Sequence, residues 1–322
     1  MNKRFFAPDS FWNQPIGPNP AIDPLNDRYL EALAGAHGGP FWINILDYTI
    51  PVYAVDERTP RHTVHQRPID PGSEERRMKR WGPRATWFQH GPGFGKDVPI
   101  PAHAMPDPES DGHMALIDYR RGRAWDMWGC RRRADGGWES YTGMAYDLNG
   151  SGVWRTDDFP VQDGESIHFH GPGRAAGVPI IAGLFMYAEV RAGHIPHKLA
   201  FATWHNALKQ FVAPATWTDG FRDFGLPEGA VMQLDPALQP AHFGLSPAAS
   251  VIFRALQEYG MVNVDCARAN TFYGEGLYGQ PDQSWDGILR PDEFKRVPLE
   301  CYRVLQLPPI TAMGDGYRPP AD

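Results

Sequence analysis

The chain has 322 residues and a formal net charge of −7. That length suits one large domain or two small ones with a full core, and the acidic balance argues against nucleic acid as the main partner. No apolar run reaches the roughly 18 residues of a membrane span. The opening stretch "MNKRFFAPDSFW" is basic at its start but has no apolar h-region, so no signal peptide is expected in it. The protein is expected to be extracellular or periplasmic if a leader has been removed, and cytoplasmic if Met1 is the native start.

Glycine and proline together make about a fifth of the residues and are spread throughout. Such punctuation breaks long helices and suits short strands joined by turns. The 11 tryptophans serve a core and also offer flat faces for sugar rings. Cys130, Cys266 and Cys301 are scattered without metal-ligand spacing, which allows one disulfide and a leftover thiol.

In chain order, "DPLNDRYLEALAG" (23–35) predicts a short helix with Leu25, Tyr29, Leu30 and Leu33 near one face. "TIPVYAV" (49–55) reads as a strand. The polar, arginine-rich stretch 61–84 reads as a long surface loop. "HMALIDYRRGRAWDMWG" (113–129) predicts a hairpin, with Gly122 able to supply a positive φ in its turn. "VPIIAGLFM" (178–186) is a buried strand or core segment. "HKLAFATW" (197–204) and "GAVMQL" (229–234) read as further strands. "LSPAASVIFRALQEYG" (245–260) is a helix with Ser246 at its N-cap, Pro247 in its first turn and Gly260 as its stop. "MVNVD" (261–265) and "NTFYG" (270–274) then suggest a closing hairpin, making 245–274 a helix-hairpin element. No repeat or linker divides the chain. The expected fold is mainly β, a single β-sandwich-like domain over 1–322 with a few peripheral short helices.

"EVRAGHIPHKLAF" (189–201) carries Glu189, His194 and His197. Pro196 stops a helix and makes the segment extended, so histidines three apart point to opposite faces and do not chelate one metal. His197 is then either a hydrogen-bonded core histidine or a proton-transfer group lining a cleft. Glu189 is either a catalytic carboxylate or an anchor for its turn. His168 and His170 in "SIHFH" share a face if that segment is a strand, the start of a zinc site that still needs a third ligand. Asp111 and His113 in "SDGHM" have the same spacing. Glycoside hydrolysis needs two carboxyl groups flanking the scissile bond. Asp111, Asp118, Asp126, Asp147, Asp157, Asp158 and Glu189 crowd the central region, and their spacing selects no pair. A serine elbow, a P-loop, a dinucleotide fingerprint and H-E-x-x-H are all absent.

The segments "DSFWNQPI" (9–16), "PESDGHMALIDYRRGRAWDMWG" (108–129), "AAGVPIIAGLFMYAEVRAGHIPHKLAF" (175–201), "LPEGAVMQLD" (226–235) and "FRALQEYGMVNVD" (253–265) together resemble a widespread, largely uncharacterised bacterial family. Members of that family look secreted and often sit beside carbohydrate-binding modules. The resemblance implies a β-rich fold and a polysaccharide or oligosaccharide partner, and carries no established catalytic residues. The family's "SG" pair stands here as "AAG", and its arginine after "GL" is replaced in "GLFM". Gly193, Ile195 and His197 keep one of its elements; Asp111, Gly112 and His113 keep another.

The leading expectation is an enzyme cleaving glycosidic bonds, a glycoside hydrolase or polysaccharide lyase. Its catalytic candidates are Asp111, His113, Glu189 and His197, and its substrate-binding candidates are Trp125, Trp128, Trp154 and Arg123. No cofactor is required on that reading. The alternatives are a non-catalytic carbohydrate-binding or cell-surface module, and a metal-dependent enzyme holding a divalent ion through His168 and His170.

Overall fold

The computed structural model describes residues 4–73, 75, 90–91, 93–154 and 173–312. Two mixed sheets form its frame. One has six strands in the spatial order Trp42–Asn44, Thr271–Tyr273, Leu199–Thr203, Met261–Cys266, Val231–Leu234 and Tyr302–Val304. The other has five, in the order Thr142–Asp147, Arg123–Trp128, Met114–Asp118, Ile50–Ala54 and Glu275–Gly276. Strand side chains alternate between faces, and three apolar clusters follow from that alternation. Ala200, Ala202, Val262 and Val264 of the first sheet meet Ile50, Val52, Ala115, Ile117 and Ala124 of the second, which makes the fold β-sandwich-like. The opposite face of the six-stranded sheet, with Leu199, Phe201, Met261 and Phe272, packs on the helix Pro247–Glu258. The outer face of the five-stranded sheet, with Tyr53, Met114, Leu116, Trp125 and Met127, is covered by Val64, Val98, Ile100 and Trp138.

Both expected helices form. Asn26–Leu33 buries Tyr29 and Leu33. In Pro247–Glu258 the Ser246 hydroxyl accepts from the Ala249 N–H at 3.1 Å, satisfying one of the orphan donors of the first turn. The 113–129 hairpin pairs Met114–Asp118 with Arg123–Trp128 and turns through Gly122 at φ +63°. The core segment 178–186 is wholly buried apart from half-buried Met186, and runs as turns, touching strand geometry only at the Phe185–Gly274 bridge.

Two expectations change. Met261–Cys266 and Thr271–Tyr273 do not pair with each other, because Leu199–Thr203 lies between them and pairs with both. The short connection invited a hairpin, yet a strand from 60 residues upstream contributes Phe201 to the shared apolar face. The stretch 61–84 begins with strands Arg61–His62 and Val64–Gln66, because Val64 alone among its polar neighbours can be buried. Its residues 74 and 76–84 lie outside the described ones, as do His168 and His170. None of the three cysteines is bridged. Among the described residues, no helix is long and apolar enough to cross a membrane.

The chain passes between the two sheets twice, side by side. One crossing joins Trp42–Asn44 to Ile50–Ala54; the other joins Thr271–Tyr273 to Glu275–Gly276 through Gly274. A Cβ at Gly274 would lie 2.4 Å from the Phe185 ring and 2.6 Å from Ile45, so only glycine allows this crossing. The candidate site opens along this seam.

Candidate functional site

A cavity of about 770 Å³ lies where the two crossings leave the sheets. Trp42, Tyr48, Trp204 and Tyr273 supply aromatic surface, and Asn44, Asp47, Ser110, Asp111, Arg268 and Thr271 supply polar groups. Trp42 is 39% exposed and Tyr48 43%, so these rings are open to a ligand. The Lys295 ammonium sits 3.4 Å above the Trp42 ring, a cation–π contact that fixes one side of the indole. An apolar aromatic lining with a few convergent polar groups is the usual build of a small-ligand site.

Asp111 reaches the cavity because Gly112 turns the chain at φ +49°, where a Cβ would lie 2.8 Å from the Cys130 carbonyl. That turn separates two expected partners. Asp111 faces the cavity, whereas His113 enters the interior, 2% exposed, and neither ring nitrogen has a hydrogen-bond partner among the described residues. Burial, helped by the Arg174 charge, pushes the His113 pKa well below its ordinary value, so the ring stays neutral. Burial raises the Asp111 carboxyl, opposed by a hydrogen bond from Trp128 and by the Arg174 charge.

Arg174 is the hub beneath the cavity. It is fully buried, its guanidinium 3.7 Å from the Tyr273 ring centroid and 3.9 Å from Asp265. Its charge also acts on Asp111 and Asp126. Burial raises Asp265 well above the ordinary carboxylate value, Asp219 and Asp111 add to this, and Arg174 opposes it. Burial likewise pushes the Tyr273 phenol up. Neither Tyr273 nor His113 is therefore suited to act as a base near neutral pH.

Glu189 and His197 form a separate unit. Glu189 lies in the short helix Tyr187–Ala192, which ends at Gly193 with φ +79°. Its Oε2 accepts from the Met186 N–H at 2.9 Å and lies 3.2 Å from His197 Nε2. The other His197 nitrogen, Nδ1, donates to the Lys198 carbonyl at 2.8 Å. Burial lowers the His197 pKa, but the Glu189 charge, that hydrogen bond and the Lys198 carbonyl together raise it overall. The pair is buried and forms no part of the cavity lining, and His194 is exposed.

The expected aromatic platform is also divided. Trp125 is packed under the outer face of the second sheet, with exposed Arg123 5.6 Å from its ring. Trp154 packs edge-on against Tyr146. Trp128 alone joins the site, through Asp111. Arg174, Asp265, Tyr273, Trp42 and Trp204 were not singled out from the sequence. The one available signal was Asp265 at the end of a strongly apolar strand, where a charge has no structural use on the core side.

A second hollow of about 590 Å³ is lined by Gln66, Arg131, Arg132, Arg133, Asp135 and Glu139. Its arginines are partly neutralised: Arg131 meets Glu139 at 2.6 Å and Arg133 meets Asp135 at 3.0 Å. Among the described residues, no aromatic side chain lines it. No family model matches the chain, and neither a curated protein nor a solved structure matches it.

Proposed function

We propose that the protein is a carbohydrate-active enzyme that hydrolyses glycosidic bonds, with the cavity along the seam as its sugar site. The observation that carries this reading is Asp111, a carboxyl group whose proton affinity is raised by burial, in the wall of an aromatic-lined cavity. Trp42, Tyr48 and Trp204 offer faces for pyranose rings, and Asn44, Asp47 and Thr271 offer hydrogen bonds to hydroxyls. Asp265, held at 3.9 Å from Arg174, is the second carboxyl group. The Asp111 charge raises the proton affinity of Asp265, and two carboxyl groups with unlike proton affinities divide the roles of proton donor and ionised partner between them. Hydrolysis is favoured over elimination, because Tyr273 and His113 are poorly placed in pKa to remove a proton from the sugar.

The test is a panel of neutral and uronate-bearing polysaccharides, followed by reducing ends and ultraviolet absorbance together. Reducing ends without new absorbance are expected. New absorbance would replace hydrolysis with β-elimination. Binding without either signal would make the chain a non-catalytic carbohydrate-binding module and overturn the enzymatic reading.

A further inference from the structure

Behind the cavity wall at Cys266, three unlike ligand groups converge. Asp219 lies in the loop after Thr218, Glu228 ends the strand Leu226–Glu228, and Cys266 ends the strand Met261–Cys266. One potential ligand atom from each lies within 4.8 Å of the others. Glu228 is fully buried. Its Oε1 accepts from the Asn206 amide at 2.8 Å, but its Oε2 is sealed from solvent with no hydrogen-bond donor. Asp219 Oδ1 is sealed and unmatched in the same way. Among the described residues, Arg174 pairs with Asp265, and no ion pair engages Asp219 or Glu228.

Buried carboxylates without a cation are unstable as such; they must share a proton or take up a positive ion. Proton sharing would need the two carboxyl groups alone. Here a thiol joins them, and the Asn206 amide reaches both Glu228 Oε1 and Cys266 Sγ, the latter at 3.2 Å. Outer hydrogen bonds of that kind orient the ligands of metal sites. Ligands about 2.0–2.3 Å from a tetrahedral zinc lie roughly 3.3–3.8 Å from one another, so separations within 4.8 Å close by small side-chain rotations.

We infer that Asp219, Glu228 and Cys266 bind one divalent cation of the zinc type. Two carboxylates and a thiolate suit a borderline-soft ion rather than magnesium or calcium, which prefer oxygen alone. Cys266 also lines the aromatic cavity, so the cluster adjoins it. Three protein ligands with one open position is the pattern of zinc sites that bind exogenous ligands. This inference goes beyond the proposed hydrolysis and does not depend on it, because its test reads metal rather than turnover.

The experiment uses the full chain, stripped with a chelator, dialysed, and shown to be folded by near-ultraviolet circular dichroism. It is then titrated with Zn²⁺ and, separately, with Co²⁺. One equivalent of each is expected to bind, with a thiolate-to-cobalt charge-transfer band. Cys266→Ser should abolish that band, and Glu228→Gln should weaken zinc binding by about ten-fold or more. Cys301→Ser, away from the cluster, should change neither. Substoichiometric uptake by the folded chain would overturn the inference and leave Asp219 and Glu228 sharing a proton. A cobalt band that survives Cys266→Ser would overturn it too, by placing the metal elsewhere.

Discussion

Asp111 and Glu189 are both acidic residues in segments singled out from the sequence, but their surroundings give them different consequences. Asp111 sits in the cavity wall. On the proposed hydrolytic reading, Asp111→Asn should therefore lower kcat/KM on a cleaved polysaccharide by about 10² or more, with little change in melting temperature, as loss of a positioned acid or base does. Steady-state kinetics alongside thermal melts would check this, and a variant within a few-fold of wild type would remove Asp111 from the site. Glu189 is instead tied to His197 at 3.2 Å in a buried pair. The folded His197 pKa is raised, so the pair's contribution to stability is fully present below the unfolded histidine value of about 6.5. It is lost as pH rises through the raised folded value. His197→Ala leaves Glu189 buried without its partner and should cost about 3 kcal/mol near pH 6. The cost should shrink by pH 9, as urea melts at the two pH values would show. An equal loss at both would mean that packing, not charge, makes His197 matter.

At the scale of elements, Gly274 lets two neighbouring strands belong to different sheets. Gly274→Ala would force a methyl group against Phe185 and Ile45, and the expected cost is about 2 kcal/mol, in the range for overpacking a close-packed core. Denaturant unfolding would measure it, and a loss below a few tenths would mean that the Phe185 ring moves aside freely. The elements themselves were largely legible in the sequence. Short apolar runs bounded by turn signals mark Met114–Asp118 and Leu199–Thr203, and the Ser246–Pro247 start and Gly260 stop mark the long helix. Strand neighbours were not legible. Alternation tells which face of Met261–Cys266 is apolar but not which strand it pairs with. The insertion of Leu199–Thr203 beside it is decided by burial over more than 60 residues of sequence. Residues 178–186 show the converse: an apolar run whose single glycine lets it fill the core as turns. Gly183 at φ +70° would bring a Cβ within 2.4 Å of the Ala200 nitrogen, so the segment is shaped for close approach rather than for pairing.

Across the whole molecule, the candidate site draws Trp42 and Tyr48 from one crossing, Asp111 from a glycine turn, Arg174 from the edge of the buried segment, and Asp265 and Tyr273 from the strand Met261–Cys266 and the start of the other crossing. Only Asp111 and Trp128 were legible beforehand, because local spacing cannot report that distant segments converge. The same convergence concentrates acid in the interior. Burial is the leading cause in raising Asp107, Asp126 and Glu275 each to about 7; the Asp111 charge adds to it for Asp107 and the Glu189 charge for Glu275. His90, His113 and His205 are shifted down by burial, which costs stability only in acid, where the unfolded histidines take up protons that the folded ones refuse. From about pH 7.5 these histidines are neutral in both states and drop out. The carboxyl groups do not. Unfolded, they have already lost their protons; folded, they keep them up to about pH 7, so the native state binds more protons and its stability falls as pH rises. His197, also raised, acts in the same direction. The midpoint of unfolding should therefore be several degrees lower at pH 8.5 than at pH 6.5, and pH-stat unfolding at pH 6.5 should release protons. A midpoint that is flat or rises over this interval would mean that the buried carboxyl groups are ionised in the native state, each with a compensating cation or donor close by.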